Sequence, residues 1–196
     1  SALLKHMTQS GLCFWLLINV AGLDFEGPFA ERTSDQIQTL LRLNIEANLE
    51  ITREVLKLRS TEMPFRIINV ASLAAFYPMP FKAIYASSKR FLLDFSMALR
   101  EEVRHLGATV TVLCPAGMPT TDACIRAIEA QGLAGRITTK NVGFVASRAI
   151  DYALKGRAVF IPGMPNKLLW AFGRLVPPSA TARFIFARWR RERQGI

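Results

Sequence analysis

A tyrosine and a lysine four residues apart, Tyr85 and Lys89, are the residues of this sequence best suited to proton transfer. Residues at that spacing lie on one face of a helix, so the lysine charge can act on the phenol. A tyrosine ionises near pH ~10, and a neighbouring cation lowers that pKa because it favours the phenolate. Ser72 lies upstream of the tyrosine and could hold a substrate oxygen. The group fits carbonyl reduction or alcohol oxidation, but many helices carry this spacing by chance.

The composition is that of a folded globular domain. The chain has 196 residues, of which 51% are hydrophobic and 20% are charged, enough for one domain with a sizeable core. The longest apolar run, residues 12–18, has the length of a strand. We recognise no secretory signal, no C-x-x-C pair among three cysteines, and no cluster around either histidine. We therefore expect a cytoplasmic protein with reduced thiols and no metal site.

The formal net charge is +10, and residues 183–196 carry five arginines and one glutamate. Because no nucleic-acid-binding motif accompanies these arginines, we prefer a solvated terminal helix and expect no nucleic-acid partner. The apolar residues among the arginines also fit a lid, a subunit contact or a basic amphipathic surface on a membrane. Membrane contact is the least favoured of these interpretations.

Predicted strands and helices alternate along the chain. Continuous apolar runs predict strands over residues 12–20, 65–71, 108–114 and 158–161. Helices are expected over residues 1–11, 33–58, 82–105, 122–131, 142–155, 167–176 and 181–193, with a Thr33/Gln36 capping box at the second of them. This alternation predicts an α/β fold, a doubly wound, Rossmann-like parallel sheet of about four strands flanked by helices. Ligands bind beyond the carboxyl ends of such strands.

Polar motifs follow three of the predicted strands. Asn19-Val20-Ala21-Gly22 ends the first strand, Ser72 follows the second, and the loop of residues 115–121 follows the third. Asn44 and Asn48 lie on the apolar face of helix 33–58. Because a buried amide without a partner costs roughly 2–7 kcal/mol, both asparagines should be hydrogen-bonded. For Asn48 we expect a backbone partner.

In this order the motifs resemble the short-chain dehydrogenase/reductase family, over about residues 12–163. The resemblance implies an NAD(P)-dependent oxidoreductase that interconverts an alcohol and a ketone or aldehyde. Tyr85 would be the acid/base, Lys89 would lower its pKa and hold the nicotinamide ribose, and Ser72 would orient the substrate oxygen. Asn44 would hold a water that links Lys89 to solvent.

The resemblance also implies a dinucleotide site. Asn19, Ala21 and Gly22 would support the adenosine side of the cofactor. Pro115, Gly117 and Thr120 would line the nicotinamide, although Ala116 interrupts the usual Pro-Gly pair and leaves open which threonine reaches the carboxamide. The sequence does not distinguish NAD from NADP.

The family's glycine-rich dinucleotide turn has no counterpart among these glycines. We therefore interpret residues 1–196 as one Rossmann-like domain that is incomplete at its N-terminus, with a basic helical extension over residues 164–196. The first strand should then form an exposed apolar edge. The alternative to an active oxidoreductase is a catalytically incompetent fragment, scaffold or oligomerisation module, because the pyrophosphate site is missing.

Aromatic and apolar residues follow Ser72 where a substrate pocket would be lined; they are Phe76, Tyr77, Pro78, Met79 and Phe81. They suggest a hydrophobic substrate such as a steroid or an acyl chain. The other interpretation, with equal weight, is that they pack the loop onto the sheet. The resemblance further implies a homo-oligomer, a dimer or tetramer, paired through the helices over residues 33–58 and 82–105.

Overall fold

Four parallel strands form one sheet in the computed structural model, which describes residue 6 and residues 9–194. The strands are β1 (Leu16–Asn19), β2 (Phe65–Val70), β3 (Ala108–Leu113) and β4 (Val159–Phe160), in the order β1-β2-β3-β4. The predicted α/β fold and its four parallel strands are confirmed. The helix expected over residues 1–11 falls largely outside the described residues.

Helices connect and follow the strands. They are α1 (Ser34–Leu41), α2 (Ala47–Lys57), α3 (Ala83–Glu102), α4 (Asp122–Ala130), α5 (Gly132–Thr138), α6 (Val142–Leu154), α7 (Met164–Gly173) and α8 (Pro178–Gln194). None of these described helices is both long and apolar enough to cross a bilayer.

Both faces of the sheet are covered by helices. Val110 and its neighbour Ile67 point to the face where α3 contributes Leu99. Ile68, one residue after Ile67, and Leu113, three residues after Val110, point to the opposite face and pack against α6. Successive side chains of a strand alternate between faces, so these apolar runs supply both halves of the core.

The edge strand is shorter than the sequence predicts. The apolar run suggests residues 12–20, but β1 spans only Leu16–Asn19, and Phe14 makes one isolated bridge to Arg59. Within the described part of the chain, β1 pairs only with β2, and Ile18 keeps 41% of its surface exposed. The expected exposed apolar edge is therefore present. Hydrophobicity alone does not predict at which residues the hydrogen bonding between β1 and β2 begins and ends.

Two helical segments also differ from expectation. The capping box of Thr33 and Gln36 is confirmed, but the helix expected over residues 33–58 is interrupted by a π-helical segment, Arg42–Glu46. Helix α5 lies between the predicted helices over residues 122–131 and 142–155, where the sequence predicts no helix. Gly135 lies so close to α4 that an added Cβ would stand 2.2 Å from the Ile128 carbonyl oxygen. Only glycine allows that approach.

A buried chain of polar side chains ties the edge strand to two helices. The Asn19 amide donates to Asn69 Oδ1 at 2.8 Å and to Thr52 Oγ1 at 3.0 Å. The Asn69 amide donates in turn to Ser96 Oγ at 2.9 Å, and Ser96 donates to the Leu92 carbonyl. The chain thus crosses from β1 through β2 to α3, with α2 attached at Thr52.

We expect Asn69→Leu to lower the free energy of unfolding by about 2–4 kcal/mol, because it removes the central partner of this buried chain. Urea denaturation measures the loss. Thr52→Val is the matched variant: it removes one bond with little change in volume and should cost about 1 kcal/mol. Equal losses for the two variants would contradict the central role of Asn69.

Candidate active site

The predicted serine and tyrosine lie together at the carboxyl end of β2. Ser72 follows β2 and caps a short 3-10 turn, where its hydroxyl accepts a hydrogen bond from the Ala74 amide at 3.1 Å. Tyr85 lies in the first turn of α3, and its phenol is near the Ser72 hydroxyl, whose hydrogen bond to the ionised phenol acts to lower the pKa of Tyr85. A carbonyl or alcohol oxygen placed between these two hydroxyls could contact both.

Lys89 lies one helical turn further along α3 and is buried, with 3% of its surface exposed. Its ammonium donates to the Val70 carbonyl at 2.9 Å and lies 5.9 Å from the centre of the Tyr85 ring. Burial lowers the pKa of Lys89 to about 8, because a desolvated ammonium is costly. The lysine is therefore anchored to the end of β2, beside the tyrosine.

Helical spacing predicts that Lys89 lowers the pKa of Tyr85, whereas the net shift of this pKa is upward. Burial raises the pKa of Tyr85 above its ordinary value. The hydrogen bond from Ser72 opposes that rise, and the nearby Lys82 cation does so more weakly. The phenol therefore keeps its proton at neutral pH. Helical spacing places the two side chains on one face but does not reveal how far the phenol is desolvated.

Asn44 is fully buried within the π-helical segment. Its Oδ1 accepts from the Leu23 amide at 2.7 Å, and its Nδ2 donates to the Leu23 carbonyl at 2.9 Å and to Ser88 Oγ at 3.0 Å. Asn48 donates to the Asn44 carbonyl at 3.0 Å. Both asparagines are hydrogen-bonded, and the backbone partner of Asn48 is confirmed. The water expected at Asn44 stays a prediction.

An ion-pair group beside the tyrosine was not anticipated from the sequence. The Lys82 ammonium contacts Asp24 Oδ2 at 2.7 Å and Glu26 Oε2 at 3.0 Å. The second oxygen of Asp24 is buried without a hydrogen-bond partner. The negative charge of Asp24 acts to raise the pKa of Tyr85, and the positive charge of Lys82 acts to lower the same pKa. No motif marked these residues, because they lie in irregular segments that only the folded chain brings together.

The end of β1 offers a place for a cofactor beside Lys89. An added Cβ at Gly22 would stand 2.9 Å from Lys89 Nζ and 3.5 Å from Asn44 Oδ1, so glycine at this position keeps a side chain from crowding the ammonium. Lys89 uses one of its three N–H donors on Val70, which leaves two for vicinal hydroxyls. This donor set fits a ribose. Ala21 also lies here, whereas the Asn19 amide is turned into the buried polar chain and holds the strand end.

The loop after β3 approaches the same region. The Pro115 carbonyl accepts from the Leu73 amide at 2.7 Å, next to Ser72. Gly117 packs against α4, where an added Cβ would stand 3.0 Å from the Ile128 side chain. Thr121 caps α4 with its hydroxyl, whereas Thr120 donates to the Cys124 sulfur at 3.7 Å. Since Thr121 is committed to the cap, Thr120 is the better placed threonine for a ligand.

The aromatic residues after Ser72 pack against the two C-terminal helices. Phe76 meets Trp170 edge to face at 6.2 Å, and the Tyr77 hydroxyl donates to the Leu169 carbonyl. Phe81 stacks on Phe186 at 5.5 Å. Packing therefore accounts for part of this aromatic cluster, with α7 and α8 as its main partners besides the sheet.

We expect Lys89→Met to stabilise the fold at pH 7 relative to the unchanged chain and to lose that advantage as the pH rises from about 8 to about 10.5. In that window the unfolded chain binds more protons at this lysine than the folded chain, so the stability of the unchanged chain increases with pH. The difference between the two proteins should shift by about 3 kcal/mol. Urea denaturation across the window measures it.

Lys82→Met is the matched control, because the folded-state pKa of Lys82 is raised above its ordinary 10.5 by its contacts with Asp24 and Glu26, which outweigh burial. Its contribution is present below pH 10.5 and is lost only above that value, so the Lys82→Met difference should stay flat across the window. A flat profile for Lys89→Met as well would contradict a desolvated lysine.

The amino-acid sequence is similar to those of known proteins. The short chain dehydrogenase family model matches residues 1–130. The ketoacyl reductase HetN of Nostoc sp. is 32% identical over 170 residues, or 84% of this chain and 58% of HetN. Human 17-beta-hydroxysteroid dehydrogenase type 3 is 34% identical over 188 residues, or 94% of this chain and 58% of that protein. The chain thus spans about 58% of the length of both relatives.

The fold is similarly shared with solved structures. A 4-hydroxyisoleucine dehydrogenase complexed with NADH superimposes with a TM-score of 0.68 at 22% identity, covering 83% of this chain and 74% of the other. The parallel sheet with Ser72, Tyr85 and Lys89 at its carboxyl edge agrees with the family match over most of the chain. This chain belongs to the short-chain dehydrogenase family.

Proposed function

We propose that this chain carries the catalytic centre of an NAD- or NADP-dependent oxidoreductase that interconverts an alcohol and a ketone or aldehyde. One observation carries the proposal: the Tyr85 phenol lies near the Ser72 hydroxyl and beside the anchored ammonium of Lys89. The relatives named as a ketoacyl reductase and a hydroxysteroid dehydrogenase support the same reaction class.

The proton chemistry follows from the environment of the phenol. Because burial raises the pKa of Tyr85, the group holds a proton for a carbonyl oxygen that accepts a bond from Ser72. As the phenol loses its proton, the Ser72 hydroxyl and the Lys82 cation stabilise the phenolate, since both favour the ionised form. In the reverse direction the phenolate removes the proton of an alcohol.

A nicotinamide dinucleotide would supply or accept the hydride at the substrate carbon. Lys89 would hold the ribose hydroxyls through its two remaining donors, next to Gly22. Pro115, Gly117 and Thr120 would line the nicotinamide. Asn44 would act through Leu23 and Ser88, holding the loop after β1 against α3, in addition to any water that it binds.

We propose a hydrophobic substrate, a 3-oxoacyl chain or a steroid ketone. The aromatic and apolar side chains after Ser72 support this class, because they border the serine and are closed over by α7 and α8. We also propose that the protein forms a homodimer. The exposed Phe91 and Met97 on α3 support pairing through that helix.

Tyr85→Phe in the full-length protein should lower kcat/KM for ketone reduction by at least about a hundredfold, because it removes the proton donor. Reduction is measured from nicotinamide absorbance with 3-oxoacyl thioesters, steroid ketones and ketose sugars as a panel. Tyr152→Phe is the matched control, since Tyr152 packs against Phe160 on the far side of the sheet and should leave kcat/KM within a few fold.

Unimpaired reduction by Tyr85→Phe would reject the assignment of the proton donor. Preference for ketose sugars would reject the hydrophobic substrate. Absence of turnover across the panel by a well-folded protein would favour the catalytically incompetent alternative.

The Asp24–Lys82 pair should set the pH at which alcohol oxidation becomes efficient. Oxidation needs the Tyr85 phenolate, so kcat/KM should rise with pH through the pKa of this group. Lys82→Met removes a charge that lowers this pKa and should move the profile to higher pH. Asp24→Asn removes a charge that raises it and should move the profile to lower pH. Shifts in the same direction would contradict this assignment.

A further inference from the structure

Helix α7 presents an apolar stripe to solvent. Met164, Leu168 and Phe172 recur at every fourth residue, and Leu175 continues the line just past the helix end. All four are exposed, Phe172 by 66% and Leu175 by 81% of their surface. Residues four apart lie on the same face of a helix, so these side chains form one continuous surface, here named the α7 stripe. Contiguous exposed apolar side chains of this kind mark an interaction site.

The opposite face of α7 holds the helix in place. Asn166 is fully buried and its amide donates to the Thr138 and Pro162 carbonyls. Trp170 packs on Phe76, and an added Cβ at Gly173 would stand 2.4 Å from the Tyr77 ring. These three contacts fix the inward face of α7, so the fold itself keeps the α7 stripe turned toward solvent.

Cations accompany the stripe. Lys167, near the middle of α7, and Arg174, directly after its last residue, are exposed, and Arg174 lies over the Trp170 ring at 5.4 Å. Helix α8 adds exposed Arg183 beside exposed Phe184. Residues 164–194 hold seven basic residues and one acidic residue. Apolar side chains among cations fit an anionic lipid surface, where both kinds of group find partners.

A second copy of the chain fits this surface less well. Two copies meeting through the α7 stripe would bring together two segments that each carry a net charge of +6. Like charges facing one another oppose association, whereas anionic headgroups neutralise the same cations.

We propose that α7 and the start of α8 dock the protein on anionic lipid membranes, with the α7 stripe inserted among the acyl chains and Lys167, Arg174 and Arg183 on the headgroups. The helix lies on the membrane and does not cross it. This part of the proposal rests on the function proposed above. Helix α7, which would meet the lipid, also covers the aromatic side chains beside Ser72 in the candidate active site. A lipid-soluble ketone would reach the site from the membrane.

Vesicle co-sedimentation of the full-length protein tests the proposal. We expect binding to vesicles of phosphatidylcholine mixed with phosphatidylglycerol, weaker binding to phosphatidylcholine alone, and weakening by added salt. Lys167→Glu combined with Arg174→Glu should lower the partition coefficient by about tenfold or more. Leu168→Ser combined with Phe172→Ser should lower it by a similar factor.

Matched variants at other surfaces distinguish vesicle binding through α7 from nonspecific vesicle binding. Leu154→Ser removes a similarly exposed leucine at the end of α6, which packs on the other face of the sheet, and Arg53→Glu combined with Arg104→Glu reverses exposed cations on α2 and just after α3. Both should bind vesicles within about twofold of the unchanged protein, since charges further than a Debye length from the membrane count little. Thermal unfolding shows whether each variant is folded.

Three results would overturn the proposal. They are equal binding to neutral and anionic vesicles, retention of binding by the α7 variants, and loss of self-association in those variants without any vesicle binding. The last result would assign the stripe to a second copy. Tyr85→Phe should bind vesicles like the unchanged protein, so a failure of the membrane contact is distinguishable from a failure of the proposed reaction.

Discussion

The site depends on a single buried asparagine. Asn44 holds the backbone of Leu23 by both its amide and its carbonyl and also donates to Ser88 on α3. It therefore joins the loop after β1 to the helix that carries Tyr85 and Lys89. A side chain with all three of these bonds cannot turn away without leaving buried polar groups unsatisfied, which is costly. The π-helical segment around Asn44 coincides with this constraint, as such segments often do at functional sites.

Burial determines the pKa shifts of Tyr85 and Lys89 more than their spacing in the sequence does. Lys89 and Tyr85 share a helix face, yet the same burial that brings them together lowers the pKa of the lysine and raises that of the tyrosine. Both shifts favour the neutral form, as desolvation requires. The charged groups that modulate the phenol, Asp24 and Lys82, come from irregular segments brought together where Asn44 joins the loop after β1 to α3.

The C-terminal helices link the site to the surface. Their inner faces receive Phe76, Tyr77 and Phe81 from the loop between Ser72 and Tyr85. Phe81 adopts a positive φ of 63°, which is uncommon for a residue with a side chain, directly before the start of α3. Its ring stacks on Phe186 of α8, so this unusual turn is packed against the C-terminal helices.

The sequence by itself determined the class of fold and the core of the site. Apolar runs of strand length and one capping box predicted the parallel sheet and its helices, because period and capping are local properties. Tyr85, Lys89 and Ser72 were identifiable from spacing and resemblance. The end of β1 at Asn19, helix α5, the ion pair of Asp24 with Lys82 and the direction of the pKa shift at Tyr85 were decided by tertiary structure. Each depends on groups far apart in sequence, on ladder pairing or on exclusion of water, and none of these is a local property of the chain.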